Sequence, residues 1–278
     1  MIESALAHGA DALEATSDSP RLDAELLLAH VLDCDRQQLR TQTSIALSPQ
    51  KISDFDALIA RRALGEPVAY LMGSWDFWTL TLRVTPAVLV PRPETELLVE
   101  LALSSLRSKH APSVLDLGTG SGAVGLAIAS ERGDATIDLT DASAAALQIA
   151  ELNRAQLGFS HVHLHLGSWL RAVPGRQYDV MVSNPPYLGA QDRHLETPEL
   201  GFEPRGALVS GPSGLEDLAH IAHTAPTHLK PMGALYLEHG FEQGAAVRQL
   251  LSDAGFSAVT THRDLAGLER VTSGIKAD

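Results

Sequence analysis

Apolar positions early in the chain recur at helical spacing. Leu22, Leu26, Leu27 and Val31 fall on one face, and so do Ile52, Phe55, Leu58 and Ile59. Ser19-Pro20 and Ser48-Pro49 precede the two runs, each reading as an N-cap followed by proline in the first turn. Residues 1–72 therefore predict a small helical bundle. Over Trp75, Phe77, Leu80, Leu82 and Val84 the period drops to two, so residues 73–92 read as a β-hairpin linker. An apolar helix then fades near Ser108. Across residues 93–278 short apolar strands at 114–117, 136–140, 162–166, 179–183, 234–238, 258–262 and 270–272 are interleaved with helical segments at 123–131, 144–157 and 243–254. Such alternation predicts a doubly wound α/β sheet, in which ligands bind at the carboxyl ends of the strands. The glycines at 118–122, Asp141 and Asn184 all fall at such ends.

Composition narrows the setting. The 278 residues carry a net charge of −13, with 45% hydrophobic and 20% charged residues, which suits a folded, soluble chain. Cys34 stands alone, so no internal disulfide can form, and a packed core position is expected for it. Met1-Ile2-Glu3-Ser4 lacks the basic and apolar regions of a secretory signal, and no apolar run approaches the ~20 residues of a membrane span. A cytoplasmic location away from membranes is expected. No basic cluster exceeds Arg61-Arg62, which argues against direct contact with nucleic acid.

The candidate chemistry has two halves. Gly118-Thr119-Gly120-Ser121-Gly122 turns from a strand into a helix and lets a ligand approach the backbone. Asp141 ends the next strand about 20 residues on, where a carboxylate accepts hydrogen bonds from a ribose. The pair predicts an adenosine-containing cofactor. Ala123 stands where a dinucleotide fingerprint needs its third glycine, which disfavours a nicotinamide. Trp169, after the third strand, offers a flat wall for the adenine.

The second half is Asn184-Pro185-Pro186-Tyr187. The nitrogen of an amide or an aromatic amine has a delocalised lone pair and is a poor nucleophile. Two fixed acceptors, the Asn184 side-chain oxygen and the Pro185 carbonyl, can hold the two hydrogens of such an NH2 group and aim the lone pair at a methyl donor. The prolines stiffen the turn beforehand, and Tyr187 supplies a flat wall.

Taken together, 116–122 and 184–187 resemble class I methyltransferases that act on conjugated NH2 groups. Arg21-Leu22-Asp23-Ala24-Glu25-Leu26-Leu27, Gly65-Glu66-Pro67-Val68-Ala69-Tyr70, Pro91-Arg92-Pro93-Glu94-Thr95-Glu96, Phe202-Glu203-Pro204 and Glu238-His239-Gly240 narrow the resemblance to the bacterial release-factor glutamine methyltransferases. That resemblance implies a Rossmann-like domain with a seven-stranded, mostly parallel sheet, preceded by a helical substrate-docking domain. It implies S-adenosyl-L-methionine as cofactor, held by Gly118, Thr119, Gly120, Ser121, Gly122, Asp141, Trp169 and Asn184. It implies class I peptide chain release factors as protein partners, with the glutamine of their Gly-Gly-Gln loop held by Asn184, Pro185, Pro186 and Tyr187. Asn184, Pro185 and Tyr187 would do the catalytic work. The alternative is an adenine-N6 methyltransferase, which shares the tetrapeptide. The acidic net charge speaks against it, and Asp192, Glu196, Glu199 and Glu203 are expected to line a peptide slot rather than a phosphate track.

Other features carry less. Leu139-Thr140-Asp141 is more polar than a buried strand end usually is. His161, His163 and His165 alternate along a strand and read as its exposed face, with Val162, Leu164 and Leu166 on the other; no metal site is expected there. His239 beside Glu238 invites a general-base role, which methyl transfer to an amide does not demand.

Overall fold

In the computed structural model, which describes residues 2–41 and 46–277, the chain divides into two units. The first comprises Met1–Ser74 and, from far along the sequence, Glu196–Phe202. It contains α1 (Ile2–Leu13), α2 (Pro20–Leu32), α3 (Arg36–Thr41), α4 (Pro49–Ala63) and α5 (Val68–Met72). Ile2, Leu6, Leu13, Leu27, Leu28, Phe55 and Ile59 form its core.

The face predicted for α2 is corrected. Leu22 is 37% exposed, whereas Asp23, Ala24, Leu27, Leu28 and Val31 are buried. α1, α4 and α5 pack around this helix, so no single stripe faces inward. Ser48 caps α4, accepting from the Lys51 amide at 3.3 Å. Ser19 makes no cap bond; its hydroxyl turns to Asp23 at 3.4 Å, and Ser17 reaches the same carboxylate at 2.7 Å. Asp23 also accepts from Arg62 Nε at 2.7 Å, and Arg62 pairs through Nη2 with Glu199 of the returning segment. Cys34, expected in the core, is half-buried, because α2 ends in a left-handed residue at Asp33 and the chain turns outward.

The second unit comprises Trp75–Leu195 and Glu203–Asp278. A hairpin of β1 (Ser74–Phe77) and β2 (Leu80–Arg83) leads to α6 (Glu96–Leu106). There follow β3 (Ser113–Leu117), α7 (Ala123–Glu131), β4 (Thr136–Asp141), α8 (Ala144–Leu157), β5 (Val162–Leu166), β6 (Tyr178–Ser183), α9 (Glu216–Thr224), β7 (Leu229–Glu238), α10 (Gly244–Asp253), β8 (Phe256–Arg263) and β9 (Glu269–Lys276). The sheet order is β5-β4-β3-β6-β7-β9-β8, with β9 antiparallel to both neighbours and the pairs from β5 to β7 parallel. Two apolar layers sandwich it: one includes Leu98, Leu126, Ile137 and Val180, the other Leu115, Met181, Ile221 and Leu251. This is the mostly parallel seven-stranded sheet expected from the sequence.

Thr140 settles the polar strand end: it is fully buried and donates to the Asp116 carbonyl at 3.4 Å. The edge strand β5 departs from its predicted alternation. Leu166 is 60% exposed, while His165 turns to Asp138, which also binds Arg176 and the Tyr178 hydroxyl. A buried carboxylate needing partners outweighs the apolar pattern there. Among the described residues no helix is long and apolar enough to cross a membrane.

Candidate active site

Strand order reverses between β3 and β6, so the loops leaving these strands diverge and open a crevice at their carboxyl ends. The crevice has a volume of ≈ 500 Å³. Gly118, Thr119, Gly120 and Ser121 form its floor, Asp141 and Trp169 stand at its sides, and Asn184 and Pro186 lie at its far end.

The floor is shaped by glycine. Gly120 has φ +57°, and a Cβ there would stand in open space; Gly118 has φ +70°, and a Cβ there would come within 3.3 Å of the Trp169 ring. The backbone is thus both left-handed and bare where a ligand approaches. Asp116, at the penultimate position of β3, pins the loop from beneath by accepting from Thr119 Oγ1 at 2.6 Å and the Gly125 amide at 3.0 Å. Burial pushes its carboxyl up to about 6 despite those bonds. Asn153 of α8 ties the loop to the hairpin, donating to Ser121 O at 2.8 Å and accepting from the Arg83 amide at 2.7 Å.

Asp141 accepts the Gly120 amide through Oδ2 at 2.9 Å and the Ser143 amide through Oδ1 at 2.8 Å. Each carboxylate oxygen carries about two lone pairs, so one acceptor position remains on each. Trp169 has φ +50° and is held by its indole N–H, which donates to Asp217 at 3.2 Å. The cleft lining contains Asp116, Asp141 and Asp217 and, among the described residues, no Lys or Arg. A cationic ligand suits such a lining; a pyrophosphate does not.

At the far end, Asn184 donates from Nδ2 to Thr95 Oγ1 at 3.2 Å. Pro185 is buried beneath the turn and, like Gly122 and Tyr187, is not part of the cleft lining. The Tyr187 carbonyl is fixed by Gln243 Nε2 at 3.0 Å. Burial, aided by the nearby Glu238 charge, raises the Tyr187 phenol well above its ordinary range. His239 is buried, with Nε2 on Thr272 Oγ1 at 2.8 Å and Nδ1 on Gly240 O at 2.9 Å, so both ring nitrogens are engaged away from the cleft.

The acids of the following loop are corrected in their role. None of Asp192, Glu196, Glu199 and Glu203 lines the cleft. Asp192 pairs with His194, Glu199 with Arg62 and Glu203 with Arg92. Glu203 also accepts from the Val90 amide at 3.2 Å, which fastens the end of the loop to the segment before α6. Sequence reasoning assigned no role to Thr95 or Gln243. Thr95 was legible only as part of Pro93-Glu94-Thr95-Glu96, and no local pattern marks Gln243.

The fold and the cleft define a methyltransferase. Residues 4–73 match the PrmC N-terminal domain family and residues 94–199 the methyltransferase small domain family. Among solved structures, a methyltransferase from Pyrococcus furiosus shares the fold with a TM-score of 0.53 at 18% identity, over 71% of this chain and 89% of its own. The release factor glutamine methyltransferase of Xylella fastidiosa (strain Temecula1) is 51% identical over 94% of both chains. That of Escherichia coli (strain K12) is 44% identical over 93% of both. The chain belongs to the release factor glutamine methyltransferase family.

Proposed function

We propose that the cleft binds S-adenosylmethionine and that the 184–187 turn presents the side-chain amide of a release-factor glutamine to it. The observation that carries the cofactor half is the pair of unused Asp141 acceptor positions beside a bare glycine floor, in a cleft that is lined, among the described residues, by three aspartates and no Lys or Arg. A ribose diol fits the former and a sulfonium the latter. Bound there, the cofactor supplies an electrophilic methyl group. The remaining work falls to this chain. Asn184 Oδ1 and the Pro185 carbonyl orient the amide NH2, whose nitrogen gains the methyl and releases one proton. Trp169 packs on the adenine, and Asp116 keeps the loop in place. The first unit, with no catalytic constellation in its sequence, serves to dock the release factor, whose Gly-Gly backbone is slender enough to enter a narrow slot. The family membership, and a cleft lining without Lys or Arg among the described residues, do not favour an adenine-N6 reading.

Incubation with labelled S-adenosylmethionine and a class I release factor, followed by mass spectrometry of the tryptic peptide, tests the assignment. The peptide gains the mass of one methylene on the glutamine of the Gly-Gly-Gln loop, and a factor with alanine at that position stays unlabelled. Label in nucleic acid instead would overturn the reading. Asp141→Ala is expected to weaken S-adenosylmethionine binding roughly ten- to a hundredfold, the equivalent of about 1.5–3 kcal/mol for one charge-assisted hydrogen bond. Calorimetry checks it: unchanged affinity in a folded variant removes Asp141 from the ribose site.

A further inference from the structure

Trp169 enters the cleft from the turn after β5 with φ +50°, a left-handed value that a bulky aromatic residue adopts only where its surroundings demand it. Two contacts hold its ring from opposite edges. At the five-membered edge the indole N–H donates to Asp217 Oδ1 at 3.2 Å. At the six-membered edge Cζ3 and Cη2 lie over Gly118, where a Cβ would stand 3.3 and 3.7 Å from them. We propose that Asp217 is a positioning residue for the cofactor: through this hydrogen bond it sets the plane of the Trp169 ring that meets the adenine. The inference rests on the adenine-stacking role given to Trp169 above.

The physical reason lies in the shape of indole. A tryptophan ring has two broad orientations about its Cβ–Cγ bond, and they exchange the side on which the N–H lies. Only one of them places the N–H on Asp217 and the six-membered edge over Gly118. A ring that stacks on a planar heterocycle gains most when it is already in place, because time spent in other orientations lowers the affinity in proportion.

Asp217 is itself firmly held. It lies in the first turn of α9, and its main-chain amide donates to Ser210 Oγ at 2.8 Å. Ser210 is 1% exposed; its amide donates to the Leu188 carbonyl at 2.9 Å, and its carbonyl accepts from the Gly214 amide at 2.9 Å. The acceptor that aims the ring is therefore anchored next to the 184–187 turn, and not on the glycine loop or β4. Asp217 also lines the cleft, so a test must separate positioning from a direct contact with the adenine or an attraction for the sulfonium.

Calorimetric titration of the full chain with S-adenosylmethionine, and with S-adenosylhomocysteine, which lacks the sulfonium charge, makes that separation. Asp217→Ala is expected to weaken binding of both about tenfold, the scale of one hydrogen bond to a charged group. Asp217→Asn keeps an Oδ1 acceptor and recovers most of the loss. Turnover at saturating cofactor stays within about twofold of the parent, since stacking is made in the ground and transition states alike. Trp169→Phe keeps an aromatic face without the N–H; it also weakens binding, and Asp217→Ala adds nothing further in that background. A loss that persists in the Trp169→Phe background, or one confined to S-adenosylmethionine, would give Asp217 a direct contact with the ligand and overturn the proposal, as would parental affinity in Asp217→Ala. Should Asp217→Ala fail to fold by circular dichroism, Trp169→Phe decides: a loss of about tenfold supports the proposal and parental affinity overturns it. Parental affinity in Trp169→Ala rejects the adenine wall and the positioning with it, whereas weakened binding in Trp169→Ala with unmoved Asp217 variants rejects the positioning only.

Discussion

Asn184→Ala is expected to lower the single-turnover rate of methyl transfer by about 10²–10³, the usual loss for one preorganised polar group. Among the described residues the side chain makes a single hydrogen bond to protein, from Nδ2 to Thr95. Its oxygen and the Pro185 carbonyl are the two acceptors proposed for the NH2 of the substrate amide. Removing one of two acceptors lets the amide rotate, and the nitrogen lone pair leaves the line of transfer. Cofactor affinity should change far less, because the glycine floor, Asp141 and Trp169 are untouched. The measurement is a rapid-quench assay with saturating cofactor and release factor, accompanied by calorimetric cofactor binding. A folded Asn184→Ala variant whose rate stays within a few-fold of the parent would refute the assigned role. Asn184→Asp makes a sharper comparison, since it keeps an acceptor toward the cleft but loses the donor to Thr95.

The second large effect is on stability. Arg62→Ala is expected to destabilise the first unit by about 3 kcal/mol, the lower end of the loss on breaking a buried ion pair from one side. Arg62 and Asp23 are 4% and 6% exposed, so deleting the guanidinium strands a carboxylate away from water. The hydroxyls of Ser17 and Ser19 still reach Asp23, which keeps the loss from being larger. Glu199 loses its Arg62 partner in the same step, and with it the bond from α4 to the returning segment Glu196–Phe202. Urea unfolding followed by circular dichroism gives the shift in midpoint. Asp23→Asn combined with Arg62→Met should recover part of the loss, because no charge is then left buried. A single variant as stable as the parent would mean that Asp23 is hydrated despite its low exposure.

Much of the site could be read along the chain because its parts are local. A glycine loop needs left-handed backbone between one strand and one helix, and Gly118, Gly120 and Gly122, all at positive φ, declare it within five residues. Asn184-Pro185-Pro186-Tyr187 is stiff through its own prolines. The α/β alternation follows from the change in apolar period at each element, which is why a doubly wound sheet is legible in hydrophobic spacing; its seven strands were what the family resemblance implied.

Tertiary structure decided what has no local signature. Buried polar groups find partners by proximity in space. Thr95 meets Asn184 across 89 positions, and Arg62 meets Asp23 across 39 and Glu199 across 137. The inward face of α2, the outward turn of Leu166 and the internal ion pairs of Glu199 and Glu203 all follow from this demand. Hydrophobic periodicity reports how an element divides between water and core. It does not report which carboxylate, once buried, will require which distant cation or hydroxyl, because that cost is incurred only when the elements have packed.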